Sequence, residues 1–121
     1  MEPISIVEKN GKCYASGHPG RALIRTVEDA VGVIGFCFEN RLDRVVLYAD
    51  NFPKNFFDLS SQTAGLLLQK FSTYRIRMAA VVDLDKKAHS SHFPEMVAEE
   101  NRRGMFHLCS SLEEAEAWVL R

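Results

Sequence analysis

Cysteine is scarce in this chain, with three widely spaced residues among 121 and no C-x-x-C pair. An odd, dispersed set predicts no disulfide framework. Charge of one sign is lacking as well, because 15 Lys and Arg stand against 16 Asp and Glu for a net charge of -1. This balance argues against a surface dedicated to phosphate backbones, so we expect no nucleic-acid partner.

Long hydrophobic runs are also missing. No apolar stretch approaches the roughly 20 residues that cross a bilayer, so we predict no membrane span. The first residues lack a basic region followed by an apolar stretch, so we expect no signal peptide and a cytoplasmic location. A chain of 121 residues, 46% apolar and 26% charged, can bury one self-standing core. We therefore predict one domain over residues 1–121.

Strand and helix signals alternate along the chain. Asn10 and Gly11 form a strong hairpin-turn signal, and Thr26 can cap a first helix that ends near Glu39. Further strands are predicted over 44–49, 77–82 and 105–109, and further helices over 63–71, 90–103 and the segment after Ser110 or Ser111. This order predicts an α/β fold with a mostly parallel or mixed five-stranded sheet flanked by about four helices.

Several stretches resemble the signature of a bacterial family known only as a domain of unknown function. They are Phe56-Phe57-Asp58-Leu59, Ala64-Gly65, the run 68–75 (LQKFSTYR), the run 100–104 (ENRRG) and the run 110–115 (SSLEEA). The resemblance spans most of the chain. It implies a small bacterial α/β protein and supplies no activity to carry over.

The element order also resembles the fold of the anti-sigma-factor antagonists (STAS). That fold ends with a helix of the Glu-Glu-Ala-x-x-Trp-Leu type, and residues 113–120 (EEAEAWVL) are similar. In that group a Ser or Thr at the start of the helix after the third strand can accept a phosphate. The resemblance therefore implies a phosphoacceptor at Ser60, Ser61 or Thr63.

Polar residues follow three of the predicted parallel strands, at the edge where open α/β sheets bind ligands. They are Asp50 and Asn51, then Asp83, then Ser110 and Ser111. Carboxylates there can hold a hard cation, but the same residue types are equally suited to turns and helix caps. We predict no metal and no cofactor.

Aromatic residues concentrate between positions 52 and 71, near the same edge. They indicate an apolar pocket, a self-association patch or ordinary core. Phe57 and Asp58 are candidate ligand-binding residues in this segment. Lys70 and Arg75 nearby can bind an anion or solvate the end of a helix.

Two patterns that include histidine are compatible with chemistry. His89-x-x-His92 offers two metal ligands, with His107 or Cys109 as a third, although histidines around a helix cap explain the spacing better. Cys13 and His18 are close enough in sequence to suggest thiolate catalysis, but core and surface roles explain them equally.

These observations predict a non-enzymatic cytoplasmic domain that binds or regulates, with a protein or a small ligand as partner. We expect it to form a homo-oligomer. The alternative is a small-ligand or metal-dependent enzyme that uses Asp50, Asp83 and Ser110 at the strand ends.

Overall fold

The computed structural model of the chain describes residues 4–53, 63–82 and 104–121. The strands are Ile4–Lys9 (β1), Lys12–Gly17 (β2), Arg44–Tyr48 (β3), Arg77–Val81 (β4) and Phe106–Cys109 (β5), and the α-helices are Val27–Glu39 (α1), Thr63–Thr73 (α2) and Leu112–Val119 (α3). A 3₁₀ turn, Ala49–Asn51, follows β3. The predicted α/β fold is confirmed, and the helix predicted over 90–103 lies outside the described residues.

The sheet is mixed, and its strands are ordered β1-β2-β3-β4-β5. The hairpin β1–β2 is antiparallel, whereas β2–β3, β3–β4 and β4–β5 are parallel. Asn10 and Gly11 turn the hairpin with φ angles of 56° and 78°, both in the left-handed region that the Asn-Gly pair tolerates. None of the helices in the described ranges is long and apolar enough to cross a bilayer.

The two faces of the sheet carry separate cores. Consecutive parallel strands are neighbours, so right-handed crossovers place α1 and α2 on the same face. On β3, Val45 and Leu47 lie in the core beneath α1 and α2, while Val46 lies in the core beneath α3. Burial on both faces explains why this strand is apolar from Val45 onward instead of alternating.

Side-chain caps begin α1 and α3 as the sequence predicts. Thr26 Oγ1 accepts a hydrogen bond from Asp29 N at 3.3 Å, and Ser111 Oγ accepts one from Glu114 N at 3.2 Å. Of the two registers open for the last helix, the structure therefore selects the one that begins at Ser111.

Helices α1 and α2 end in the same hydrogen-bonded motif. After α1, Leu42 N donates to Cys37 O at 2.7 Å and Arg41 N donates to Phe38 O at 3.2 Å. Arg41 has φ 57°, and Arg75 takes the corresponding position after α2, also with φ 57°. This is the Schellman arrangement, in which glycine usually occupies the left-handed residue.

Replacing that left-handed arginine with glycine is expected to stabilise the fold. Arg41→Gly removes a strain of about 1–2 kcal/mol, part of which is offset by the greater freedom of glycine in the unfolded chain. We expect the free energy of unfolding to rise by about 0.5–1 kcal/mol, measured by urea denaturation with an unchanged m-value.

Arg21→Gly is the matched control for this prediction. Arg21 is also exposed but lacks a positive φ, so glycine there only adds unfolded-state entropy and lowers stability. Equal effects of the two substitutions would contradict the explanation from backbone strain.

Candidate functional site

Asn51, one of the predicted ligand residues, is fully buried just after β3. Its Oδ1 accepts from Tyr48 N at 2.7 Å, and its Nδ2 donates to the carbonyl oxygens of His18 at 2.9 Å and Arg21 at 2.7 Å. Its main-chain oxygen accepts from Ile24 N at 2.7 Å. Asn51 therefore fastens the loop that follows β2 to the end of β3.

Gly17, the last residue of β2, leaves the space that this amide occupies. A Cβ at position 17 would overlap Asn51 Oδ1, and it would lie 2.8 Å from Asn51 Cγ and 3.0 Å from Leu47 Cδ2. Such separations do not occur between well-packed atoms. Glycine is required at this position by close approach.

The other residues predicted at this edge are not assembled into one described site. Asp50 is exposed, Lys70 is partly buried in the last turn of α2, and Arg75 is exposed beyond it. Thr63 is the first residue of α2. Phe57, Asp58, Ser60, Ser61, Asp83, His89 and His92 lie outside the described residues.

Aromatic side chains of the 52–71 segment belong to the core where the structure describes them. Phe52 and Phe71 are buried in the core beneath α1 and α2. The exposed aromatic pair lies elsewhere: Phe38 at the end of α1 and Tyr74 just after α2 meet edge to face, with ring centroids 5.6 Å apart.

Cys13 and His18 do not form a catalytic pair. They are separated along β2 by roughly 16 Å of extended chain. Cys13 Sγ lies 3.9 Å from Glu8 Oε2, and His18 Nε2 lies 3.3 Å from Ser5 Oγ. Each side chain therefore interacts with β1 at a different end of the hairpin.

Polar side chains do converge where β5 passes into α3. Ser110 donates to Glu114 Oε2 through its main-chain N and its Oγ, both at 3.2 Å. The other carboxylate oxygen, Oε1, lies 3.6 Å from His107 Nε2. The hydrogen bond from Ser110 N is the main reason why the pKa of Glu114 lies below its usual value.

A stack of flat groups adjoins this carboxylate. The imidazole of His107 is stacked on the indole of Trp118, with centroids 5.3 Å apart and planes 17° from parallel. The guanidinium carbon of Arg77 lies 4.3 Å from the centroid of the same indole. Among the described residues, His107 Nδ1 and Trp118 Nε1 are buried and have no hydrogen-bond partner.

An open cavity of about 410 Å³ lies against this stack. It is lined by His107, Glu114, Ala117, Trp118 and Arg121. The lining combines a carboxylate, a guanidinium and an imidazole with an aromatic ring. Volumes of 300–1,000 Å³ with a few converging polar groups are typical of small-molecule sites.

A second cavity, of about 340 Å³, lies on the other side of α3. Lys9 Nζ and Glu116 Oε1 form an ion pair there at 2.7 Å, and Tyr14 Oη donates to Glu116 Oε2 at 2.5 Å. Burial, followed by the bond to Glu116, raises the pKa of Tyr14. Both oxygens of Glu116 are therefore engaged, one by Lys9 and the other by Tyr14.

The thiol of Cys109, at the end of β5, lies next to the polar groups of the first cavity. Its side chain is buried, and Sγ lies 3.9 Å from the carbonyl oxygen of His107. Burial, together with the charge of Glu114, raises the pKa of Cys109 to about 12. One ligand atom each of His107, Cys109 and Glu114 lies within 4.8 Å of the other two.

A family described as "Domain of unknown function (DUF4180)" matches residues 9–119. The chain belongs to the DUF4180 family. Comparison with curated proteins found no significant match, and neither did comparison with solved structures. The resemblance of this DUF4180 chain to the anti-sigma-factor-antagonist fold therefore stays a prediction.

Three residues that line this DUF4180 cavity, Glu114, Trp118 and Arg121, were not among the ligand residues predicted from the sequence. Ser110 and Ser111, two of the predicted ligand residues, hold Glu114 and begin α3. The available signal was the alternation of His107 and Cys109, which places both side chains on one face of a strand.

Proposed function

We propose that this chain is a non-enzymatic binding domain with a regulatory role in the bacterial cytoplasm, and that its ligand occupies the cavity beside Trp118. The observation that carries the proposal is the convergence of Glu114, Arg121 and His107 on one cavity with an aromatic wall. Glu114 and Arg121 favour a small ligand with both a cationic or donor group and an anionic group.

The thiols favour binding over catalysis and favour a reducing compartment. Burial raises the pKa of Cys37 to about 11 and that of Cys109 to about 12. A nucleophilic cysteine needs a lowered pKa, so neither thiol is prepared to attack a substrate. Cys13, Cys37 and Cys109 are all free of disulfides, as is usual in the cytoplasm.

Trp118 is the only tryptophan of the chain, so intrinsic fluorescence reports directly on the cavity. We expect at least one compound in a panel of amino acids, carboxylates, phosphates, nucleotides and acyl compounds to shift this emission. The same compound should raise the thermal midpoint, because a ligand that binds only the folded state stabilises it. A panel without any shift would count heavily against the proposal.

Ala117→Leu is expected to weaken binding of that compound at least tenfold. Ala117 is exposed on α3 and lines the cavity, so a leucine fills space without disturbing the core, and both residues are good helix formers. Gln69→Leu, on the exposed side of α2, is the matched control and should leave the affinity unchanged. Equal affinities for the two variants would place the ligand elsewhere.

Self-association belongs to the same proposal, and the outward faces of α1 and α2 support it. Val31 and Phe38 on α1, Leu66 on α2 and Tyr74 beyond it each remain about half exposed. Single exposed apolar residues are common, but a group on two adjacent helices is typical of an interaction surface. The helices contact each other, and the rings of Phe38 and Tyr74 join them at one end.

Sedimentation velocity at micromolar concentrations tests this part. We expect wild-type protein to contain a dimer or larger species, and Phe38→Gln with Tyr74→Gln to shift it to monomer while circular dichroism shows that the variant remains folded. Ile6→Gln, at an equally exposed apolar position on β1, should sediment like the wild type. A wild-type chain that is monomeric at every concentration would overturn this part.

A further inference from the structure

Three potential metal ligands lie together where β5 meets α3. His107 and Cys109 are two positions apart on the strand, so their side chains leave the same face. Glu114, in the first turn of α3, lies over that face, and one ligand atom from each residue falls within 4.8 Å of the others. We propose that His107, Cys109 and Glu114 bind a divalent transition-metal ion, for which Zn²⁺ is the best chemical match.

The donor set selects the metal. Zn²⁺ accepts imidazole nitrogen, thiolate sulfur and carboxylate oxygen in one shell, with bonds of about 2.0–2.3 Å. Tetrahedral bonds of that length place ligand atoms about 3.5 Å apart, so the three groups need to close by roughly 1 Å. Ca²⁺ and Mg²⁺ prefer shells made of oxygen alone and do not suit the sulfur.

Glu114 is already oriented for this role. Ser110 holds Oε2 with two hydrogen bonds at 3.2 Å, which leaves Oε1 turned toward His107 Nε2 at 3.6 Å. Metal-binding carboxylates commonly have one oxygen fixed by such outer contacts. Ser110 is therefore a positioning residue in this inference.

The cluster also has unmet electrostatic and hydrogen-bonding needs. His107 Nδ1 is buried with no partner in the described part of the chain, which is unfavourable for a polar atom. A cation bound beside Glu114 would balance the charge of its carboxylate, which adjoins the buried thiol of Cys109.

A fourth coordination position remains for water or for a ligand. His107 and Glu114 line the cavity of about 410 Å³, so an ion held between them would border it. Sites with three protein ligands and one open position are common for zinc. The inference shares these two residues with the proposed ligand site but requires no organic ligand.

Binding of Zn²⁺ to the full chain, stripped of metal with a chelator, tests the inference by isothermal titration calorimetry. We expect one ion per chain at this site. Co²⁺ as the probe should give the near-ultraviolet charge-transfer band of a thiolate complex. Absence of saturable binding, or a Co²⁺ complex without that band, would overturn the inference.

Matched variants distinguish this cluster from other donors. Cys109→Ser and Glu114→Gln are each expected to weaken Zn²⁺ binding about tenfold or more. Glu113→Gln, the neighbouring first-turn carboxylate, and Cys13→Ser, the exposed thiol, should bind as tightly as wild type. Unchanged affinity in both Cys109→Ser and Glu114→Gln would contradict the assignment, and circular dichroism confirms that each variant is folded.

These experiments distinguish the inferred metal site from the proposed ligand-binding function. Organic ligands that shift Trp118 emission in the presence of chelator would support the binding domain whether or not Zn²⁺ binds. Zn²⁺ binding that requires Cys109 and Glu114, with no organic ligand found, would support the metal site alone.

Discussion

Asn51→Ala is expected to lower the free energy of unfolding by about 3 kcal/mol, which corresponds to a fall of roughly 10 °C in thermal midpoint. The substitution removes three hydrogen bonds of a fully buried amide. It leaves the N–H of Tyr48 and the carbonyl oxygens of His18 and Arg21 without that partner. Each buried polar group that is left without a partner lowers the free energy of unfolding by about 1–3 kcal/mol.

Asn40→Ala is the matched control for this result. Asn40 is exposed after α1, and its side chain makes one hydrogen bond, from Nδ2 to Phe36 O at 2.8 Å. Because water can replace that bond, we expect a loss below about 1 kcal/mol. Urea denaturation of both variants provides the comparison, and equal losses would show that Asn51 does not fasten the loop.

A double-mutant cycle with Gly17→Ala isolates the contact between β2 and this amide. Alone, Gly17→Ala is expected to destabilise the fold, because the new Cβ overlaps Asn51 Oδ1. In the Asn51→Ala background that overlap disappears, so Gly17→Ala should become less harmful. Strict additivity of the two effects would contradict the proposed close packing, since residues in contact normally couple.

Local signals in the sequence were sufficient for most of the described strands and helices. Asn10 and Gly11 marked the hairpin, Thr26 marked the start of α1, and short apolar runs marked β3 and β4. The end of α2 was predicted at Phe71 and lies at Thr73. The helical spacing of apolar residues ends at Phe71, which is buried. The helix continues to Thr73 because it ends in the Schellman motif around Arg75, and no glycine marks that motif in the sequence.

The candidate site was less predictable because its residues meet across strands. Arg77 and Trp118 are adjacent only through the register of the sheet and the position of α3 above it. The role of Asn51 was also not predictable from the sequence. Asn after a strand is equally suited to a turn, a cap or a ligand, and only its burial among three main-chain partners decides the role.

Arg77 is a second position at which a large loss of stability is expected. Its guanidinium donates to four carbonyl oxygens: Trp118 at 2.9 Å, Val119 at 3.3 Å, Arg121 at 3.2 Å and Gly104 at 3.2 Å. The last carbonyls of a helix have no partner within the helix. Since the last turn of α3 has no basic residue, Arg77 of β4 supplies the cation that caps these carbonyl groups.

We expect Arg77→Ala to lower the free energy of unfolding by about 3 kcal/mol and Arg77→Lys by about 2 kcal/mol. Lysine keeps the charge, but one ammonium cannot replace the planar fork that bridges several carbonyls and stacks on an indole. Trp118 lies beneath the guanidinium, so its emission should shift to longer wavelength in both variants.

Arg44→Lys is the control for this substitution, because Arg44 is the register partner of Arg77 on β3. Its ion pair with Asp43, at 3.4 Å, joins it to a largely exposed carboxylate, and such pairs contribute at most about 1 kcal/mol. If Arg77→Lys lowered the free energy of unfolding as little as Arg44→Lys, the positive charge alone would account for the stabilisation of the end of α3. A clear difference would show that the bridging geometry of Arg77 holds α3, and with it the wall of the candidate cavity, against the sheet.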